Sequence, residues 1–182
     1  MAIRKIVTID EGNPILRQKA KRVREVTPAI QQLMEDMVET MRAAPGIGLA
    51  GPQVDVPLRV IVVEVPKDFE DPEAGTWLYT LVNPEIARMS NEIEEGEEGC
   101  LSIPNIYGYV ERATAVTVKG LDRTGRKVRI KAQGFLARAL QHEIDHLDGI
   151  LFIDHITDPE KLWKVEPQEA EEKGHIVHAE TL

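Results

Sequence analysis

The segment QHEIDHLDG, residues 141–149, places two histidines four positions apart with a glutamate directly after the first. On an α-helix, residues i and i+4 lie one turn apart on the same face, so His142 and His146 can hold one metal ion between their imidazoles. Glu143 lies one position further round, where a carboxylate can handle a proton of water at the metal. Two histidines are too few for a working site, so the fold must bring a further ligand onto this helix from elsewhere in the chain.

The third ligand has several candidates in the sequence. A metzincin would have a histidine at position 152, but Phe152 stands there, which excludes that class. Glu160 or Glu166 would fit a thermolysin-like site, although both lie in a polar segment broken by prolines. His155, in LFIDHI, alternates with apolar residues as a partly buried strand residue does. Cys100, in EEGCLSIP, offers a thiolate, and a Cys/His/His set plus water is typical of a catalytic site.

Composition and charge limit the classes of partner. The 182 residues are enough for one domain with a substantial core. With 22 Lys and Arg against 31 Asp and Glu, the formal charge is −9, so the chain as a whole repels nucleic acid and anionic membranes. KAKRVRE, residues 19–25, is the one candidate for a local basic patch, and we interpret it as a solvated segment.

Features of the chain also indicate a compartment. The N-terminal segment MAIRKIVTID lacks a continuous apolar stretch, and no apolar run approaches the length of a membrane span. Cys100 is the only cysteine, so an intrachain disulfide is excluded and an oxidising compartment gains no support. We therefore expect a cytoplasmic protein that makes no use of a membrane.

The sequence predicts two helices. Apolar residues recur at helical spacing in residues 27–44, where Thr27 is suited to the N-cap and Pro28 to the first helical position. The second helix covers residues 135–149 and carries HEIDH, with Gly149 as its natural end.

Between the helices the sequence predicts strands. Residues 58–65 and 76–86 are rich in β-branched and apolar residues, and the second of these runs should stop at Asn83-Pro84. Residues 113–134 predict an antiparallel hairpin that turns at residues 122–125. We therefore expect an α+β fold, with mostly antiparallel sheets packed around a central helix that carries HEIDH, and with an N-terminal helix.

Three separated segments together resemble the peptide deformylase family. They are GIGLAGPQ (residues 46–53), EGCLS (residues 98–102) and QHEIDH (residues 141–146), and they occur in the family's order. The resemblance implies a single catalytic domain over residues 1–165, followed by a polar C-terminal tail over residues 166–182. It also implies a cytoplasmic hydrolase that removes the formyl group from the N-terminal formyl-methionine of nascent polypeptides at the ribosome and releases formate. Direct sequence-specific binding of nucleic acid is not expected.

The resemblance also implies the metal site. It makes Cys100, His142 and His146 the ligands of one divalent metal ion and Glu143 the acid/base. Fe(II) is the family's usual metal, with Zn(II), Ni(II) or Co(II) able to occupy the site. The softness of the ligands alone would favour zinc.

Further residues receive roles toward the substrate from the same resemblance. Gln53 and the backbone N–H of Leu101 would stabilise the negative charge that develops on the formyl oxygen. Arg112 would contact the substrate backbone. An extended peptide would pair, like an added strand, with the backbone of Gly46, Ile47 and Gly48. The alternative role of these residues is a plain tight turn.

Two other functions stay open at this point. A zinc peptidase would use His142, His146 and Glu166, with Cys100 merely buried. A non-enzymatic protein that binds a metal or a peptide would keep the fold without turnover. The metal content and activity of a chain without Cys100 would separate the peptidase from a deformylase.

Overall fold

The computed structural model describes residues 2–167, which form two helices, two sheets and several short 3-10 helices. The helices are α1 (Pro28–Ala43) and α2 (Gly134–Leu147). The strands are β1 (Gly48–Ala50), β2 (Val60–Pro66), β3 (Thr76–Met89), β4 (Ile93–Cys100), β5 (Ile103–Ala113), β6 (Ala115–Leu121), β7 (Lys127–Gln133) and β8 (Leu162–Lys164). Of the tail expected from the sequence, residues 168–182 lie outside the described residues.

Both sheets are antiparallel. The larger has the strand order β1-β2-β3-β6-β7, and the smaller has the order β4-β5-β8. Helix α2 packs on the larger sheet and also contacts β5 of the smaller one. The predicted α+β fold, with antiparallel sheets around the helix that carries HEIDH, is confirmed.

Strand β2 separates two hydrophobic cores because its side chains alternate across the sheet. Ile61 and Val63 pack on the side of α2, whereas Val60 and Val62 pack on the side of α1, and all four are fully buried. Burial of each such side chain contributes about 1.5–3 kcal/mol. The strand thereby fixes the position of both helices.

Helix α1 begins as the sequence predicts. The Thr27 hydroxyl accepts a hydrogen bond from the N–H of Ile30 at 3.3 Å, and Pro28 occupies the first helical position. The methionines of its buried face are part of the core: Met34, Met37 and Met41. The helix therefore supports the sheet and leads directly into the loop before β1.

Strand β3 continues through Asn83-Pro84, where the sequence predicts a stop. Asn83 has a φ of 51°, and the pairing with β6 shifts between Val82 and Glu85. The Asn83 amide accepts from the N–H of Val23 and donates to its C=O, both at 2.8 Å. The bulge accommodates the missing N–H of the proline, so the strand bends instead of ending.

No helix within residues 2–167 has both the length and the apolar character that a membrane span requires.

Candidate metal centre

Helix α2 carries both histidines of HEIDH on its buried side. His142 is 2% exposed and His146 is 1% exposed, and their ring centroids are 5.1 Å apart. The apolar residues of the same helix anchor it in the core: Ala137, Leu140, Ile144 and Leu147. The spacing of four residues thus places the two rings beside the same interior space.

Cys100 reaches this space from the end of β4. Its Sγ lies 3.3 Å from His146 Nε2, and one ligand atom from each of Cys100, His142 and His146 lies within 4.8 Å of the other two. The pairing of β4 with β5 shifts directly before Cys100, a type of irregularity that often re-aims a side chain beside a functional site. Among the described residues, this is the one group of His, Cys, Asp and Glu side chains that could share a metal ion.

The donor set of this group fits one divalent metal ion. His142 Nε2 is buried and has no hydrogen-bond partner within residues 2–167, which costs free energy unless a ligand is bound. Burial lowers the pKa of His146 well below its usual value and so favours the neutral imidazole that a metal requires. One thiolate and two imidazoles suit borderline metals, and three protein ligands leave a position for water.

Glu98 orients His142 from behind the site. Its fully buried Oε1 accepts a hydrogen bond from His142 Nδ1 at 2.7 Å, so that Nε2 is left for a ligand. Burial alone would raise the pKa of Glu98, but hydrogen bonds from Arg112 and His142 outweigh it and hold that pKa below its usual value. The carboxylate is therefore ionised, and it fixes both the ring and its tautomer.

Two buried arginines compensate the charge of Glu98. Arg112 donates to both carboxylate oxygens at 2.9 Å, and Arg138 donates to Oε2 at 2.8 Å. Arg138 also donates to the carbonyls of Glu94 and Val110. A buried carboxylate needs such partners, because an unpaired ion in the interior costs several kcal/mol. Together these bonds make the support of His142 rigid.

Asp145 extends the charged network toward the surface. Its Oδ2 accepts from Arg112 Nη1 at 2.6 Å and lies 2.8 Å from His155 Nε2. The guanidinium of Arg112 is thus occupied by two carboxylates, and the residue is 6% exposed. Its expected contact with the substrate backbone stays a prediction, and the observed contacts give it a supporting role beneath the site.

The substitution Glu98→Gln is expected to lower both stability and metal affinity. It removes the charge that balances Arg112 and Arg138, and breaking a buried pair of this kind costs about 3–5 kcal/mol in the free energy of unfolding. Loss of a group that orients a metal-binding histidine typically lowers metal affinity about 10–100-fold. Denaturant unfolding of the metal-free protein measures the first effect, and competition with a chelator on the folded protein measures the second. Unchanged values for both would show that the network is dispensable.

Glu143 lies on α2 between the two histidines, is buried like them and is close enough to His142 for the two charges to interact. It is 1% exposed, and its Oε2 has no hydrogen-bond partner within the described part of the chain. Burial raises the pKa of Glu143 to about 7, because the ionised form loses its hydration, and a cation at the ligand atoms would act in the opposite direction. A carboxyl group with a pKa near neutrality is typical of an acid/base catalyst.

Gly48 leaves the room that Glu143 occupies. A Cβ at position 48 would lie 2.3 Å from Glu143 Oε1 and 2.9 Å from its Cγ, so that the Glu143 side chain would have to move. The glycine is therefore explained by the close approach of a carboxylate, a reason that the sequence pattern alone does not supply.

Gln53 directs its amide nitrogen toward Cys100. Its Oε1 accepts from the N–H of Ala50 at 2.9 Å, which sets the orientation of the amide, and its Nε2 lies 3.5 Å from Cys100 Sγ. The same nitrogen donates to the hydroxyl of Ser102 at 3.2 Å. Leu101 directly follows Cys100 in the turn between β4 and β5 and is also buried. An amide donor and the backbone of the turn thus adjoin the candidate metal ligands.

Residues 46–48 lead into β1, which is an edge strand of the larger sheet. The Gly46 N–H donates a hydrogen bond to the Met41 carbonyl, and the Ile47 carbonyl accepts one from the N–H of Glu64 at 2.8 Å. Since Ile47 faces β2, the alternation of an antiparallel ladder turns the N–H and C=O of Gly48 toward the open side of β1. This edge can accept an extended chain.

Comparison with known proteins decides the family. The polypeptide deformylase family matches this chain over residues 3–162. The peptide deformylase of Thermomicrobium roseum is 54% identical over 173 residues, which covers 94% of this chain and 96% of that protein. The chain belongs to the polypeptide deformylase family. The deformylase of Halothermothrix orenii is 53% identical over 156 residues, covering 86% of this chain and 93% of that one.

Solved deformylase structures share the fold described above. The peptide deformylase of Ehrlichia chaffeensis in complex with actinonin has a TM-score of 0.81 at 40% identity, covering 88% of this chain and 92% of that one. The Met-Ala-Ser-bound class I type b enzyme of Acinetobacter baumannii has a TM-score of 0.77 at 41% identity, covering 85% and 99%. The resemblance to deformylases seen in three short segments is confirmed over most of the chain.

The alternative third ligands lie elsewhere in this deformylase. Glu160 and Glu166 are exposed, and His155 is bound to Asp145. None of the three joins the cluster around His142, in which Cys100 is the third member.

Sequence reasoning missed the charged residues behind the ligands. Glu98 lies within the EGCLS segment but received no role there, and Arg138 and Asp145 were not singled out. Arg138 lies four residues before His142, on the same face of α2. A basic residue on the apolar face of a helix is the signal that could have revealed it, because a buried charge requires a partner.

Proposed function

We propose that this chain is an active metal-dependent deformylase, which hydrolyses the formyl group of N-terminal formyl-methionine in newly made polypeptides to give formate and a free amine. The observation that carries this proposal is the convergence of Cys100, His142 and His146 in one buried group of a deformylase-family chain, with the buried Glu143 between the two histidines on α2.

The metal would be held by Cys100, His142 and His146. Such an ion supplies a Lewis acid that polarises the formyl carbonyl and lowers the pKa of water. We expect Fe(II) from family likeness, with Zn(II), Ni(II) or Co(II) as substitutes. Thiolate ligation of Fe(II) would make the protein sensitive to oxygen.

Glu143 would move the proton. Its buried, unpartnered Oε2 can accept a proton from the attacking water. The same oxygen would then deliver that proton to the amine nitrogen as the bond from carbon to nitrogen breaks, since an unprotonated amine leaves poorly. Burial limits competing exchange of this proton with bulk solvent.

Gln53 and Leu101 would stabilise the developing oxyanion. Gln53 Nε2 is held in place through the bond of its Oε1 to Ala50, so the donor needs no reorganisation during reaction. The backbone N–H of Leu101 would supply a second donor beside it. Removal of one such donor typically costs about 10²–10³ in rate.

The substrate peptide would extend along β1. The outward N–H and C=O of Gly48 offer one pair of hydrogen bonds to an added strand, adjacent to Glu143. The Acinetobacter baumannii enzyme binds Met-Ala-Ser, a peptide with the free N-terminal methionine that deformylation leaves. We expect this chain to bind the same class of peptide.

The cellular setting follows from the substrate. Formyl-methionine peptides emerge from ribosomes, so we expect the chain to act on nascent chains in the cytoplasm. Residues 1–165 would form the single catalytic domain, and residues 166–182 would be a polar tail outside it.

The proposal is tested by formate release from formyl-Met-Ala-Ser. The protein is assayed without oxygen after loading with Fe(II), and separately after loading with Ni(II), with chelator-treated protein as the control. We expect release of formate and of intact Met-Ala-Ser in both loaded forms and none in the control. No formate in either form would disprove the proposal, and cleavage within the peptide would favour the peptidase.

A further inference from the structure

One face of the larger sheet is basic, although the chain as a whole carries a charge of −9. On β6 and β7, exposed Lys and Arg alternate with residues that enter the core beneath α2. The ladder places Lys119 opposite Arg129, Thr117 opposite Lys131, and Leu121 opposite Lys127. Residues directly opposite in a ladder share a face, so these four cations point together away from the core beneath α2, on the side of the sheet where α1 packs against other strands.

Two more cations extend this surface. Arg88 of β3 pairs with Thr117, and Arg22 contacts Glu85 of β3 at 2.7 Å. Glu85 is the one acidic residue in the sequences of β3, β6 and β7. We call this surface the basic face, and its cations are Arg22, Arg88, Lys119, Lys127, Arg129 and Lys131.

Most of the basic face is uncompensated. Within residues 2–167, Arg88, Lys127, Arg129 and Lys131 take part in none of the ion pairs, whereas Lys119 lies 3.5 Å from Glu85. Like charges directly opposite each other in a ladder are destabilising, as for Lys119 and Arg129. Such a pair is stabilised once an anion lies across it.

Protection of the sheet edge explains only part of this pattern. Strand β7 is an edge strand, where lysine discourages pairing with another chain. Lys119, however, lies on β6, where it has Glu85 of β3 on one side and Arg129 of β7 on the other. The charge therefore covers the face of the sheet and not only its margin.

We propose that the basic face binds the phosphate backbone of RNA without regard to sequence. Alternate residues of a strand lie about 7 Å apart, so β7 presents a row of three cations to an extended polyanion. Strands β6 and β7 contain no aromatic residue for base stacking, which leaves backbone contacts as the mode of binding. The inference goes beyond the deformylase reaction, and it agrees with a substrate that emerges from ribosomes.

A membrane surface fits these observations less well. Proteins that lie on membranes insert large apolar side chains between the headgroups. None of the exposed large apolar residues within the described part of the chain lies on β6 or β7. The face offers charge alone.

The test measures binding of the full-length protein to a fluorescent RNA duplex of about 20 base pairs by anisotropy, at several salt concentrations. The variant K127Q/R129Q/K131Q removes three charges from the basic face. The matched control K5Q/K161Q/K164Q removes three charges from other surfaces and leaves the same net charge. Formate release from a short formyl peptide is measured on each protein.

We expect K127Q/R129Q/K131Q to bind the duplex at least about 10-fold more weakly than the unsubstituted protein. The slope of its binding constant against salt concentration, on logarithmic axes, should fall by the amount that corresponds to about two to three phosphate contacts. The control should stay within about twofold, and formate release should be equal in all three proteins. Equal loss in both variants, no binding by the unsubstituted protein at low salt, or binding only to phosphatidylglycerol vesicles would each overturn the inference. Because the two assays are independent, loss of formate release with intact RNA binding would count against the deformylase proposal alone.

Discussion

Replacement of Glu143 by glutamine is expected to reduce turnover by about 10²–10⁴ while the bound metal is retained. The amide keeps the size of the side chain next to Gly48, where the space is already filled. It cannot accept a proton from water or pass one to the departing amine. The ligand atoms of Cys100, His142 and His146 are untouched by the change. Formate release per bound metal, with the metal measured by elemental analysis, gives the result.

The matched control for this prediction is Glu111→Gln, which removes one carboxylate from an exposed position on β5. We expect normal turnover and normal metal content in the control. If Glu143→Gln instead loses its metal, Glu143 is a ligand or a structural support. If its turnover stays within about threefold, another group moves the proton.

Much of the fold could be predicted from sequence, because the decisive segments carry strong local signals. Helix α1 has a capping threonine, a proline at the first position and a regular apolar face. The first four residues of β2, residues 60–63, are all β-branched, as expected for a strand buried on both faces. In each case the local pattern and the tertiary packing favour the same structure.

Strand β4 shows where local pattern fails. Its sequence, IEEGEEGC, has glycines and glutamates that are disfavoured in strands, and it forms because β5 pairs with it along its whole length. Pairing between segments is a tertiary effect, so the local sequence of β4 does not predict it.

The basic face is also assembled by tertiary structure. Residues 19–25, the candidate basic patch in the sequence, contribute Arg22 alone, and the other cations of the basic face come from three strands.

The candidate site also contains residues that sequence spacing predicts and residues that it does not. His142, Glu143 and His146 could be placed from helical spacing, since four residues make about one turn. Cys100 lies more than forty positions upstream, and spacing could not bring it to the helix. Family resemblance supplied that step. Arg138 received no role because a charged residue in an amphipathic helix is ordinarily solvated, although its position on the apolar face is a sign of a buried charge.

Replacement of Cys100 by alanine is expected to lower metal affinity by more than about 100-fold, beyond the range seen for groups that merely orient ligands. The change removes one of three candidate ligands and leaves two imidazoles, one of which is held by Glu98 through its Nδ1. Activity should fall with the metal content at limiting metal. Competition with a coloured chelator measures the affinity of the folded protein.

Loading with Co(II) adds a signature that a merely structural cysteine would not produce. Thiolate ligation gives a charge-transfer band in the near ultraviolet, and we expect this band in the unsubstituted protein and its loss in Cys100→Ala. The matched controls are His155→Gln and Glu166→Gln, which remove the other candidates for the third ligand. Because His155 is bound to Asp145 and Glu166 is exposed, both controls should keep the metal and the band. Retention of metal and activity by Cys100→Ala, together with their loss in Glu166→Gln, would instead establish the peptidase ligand set.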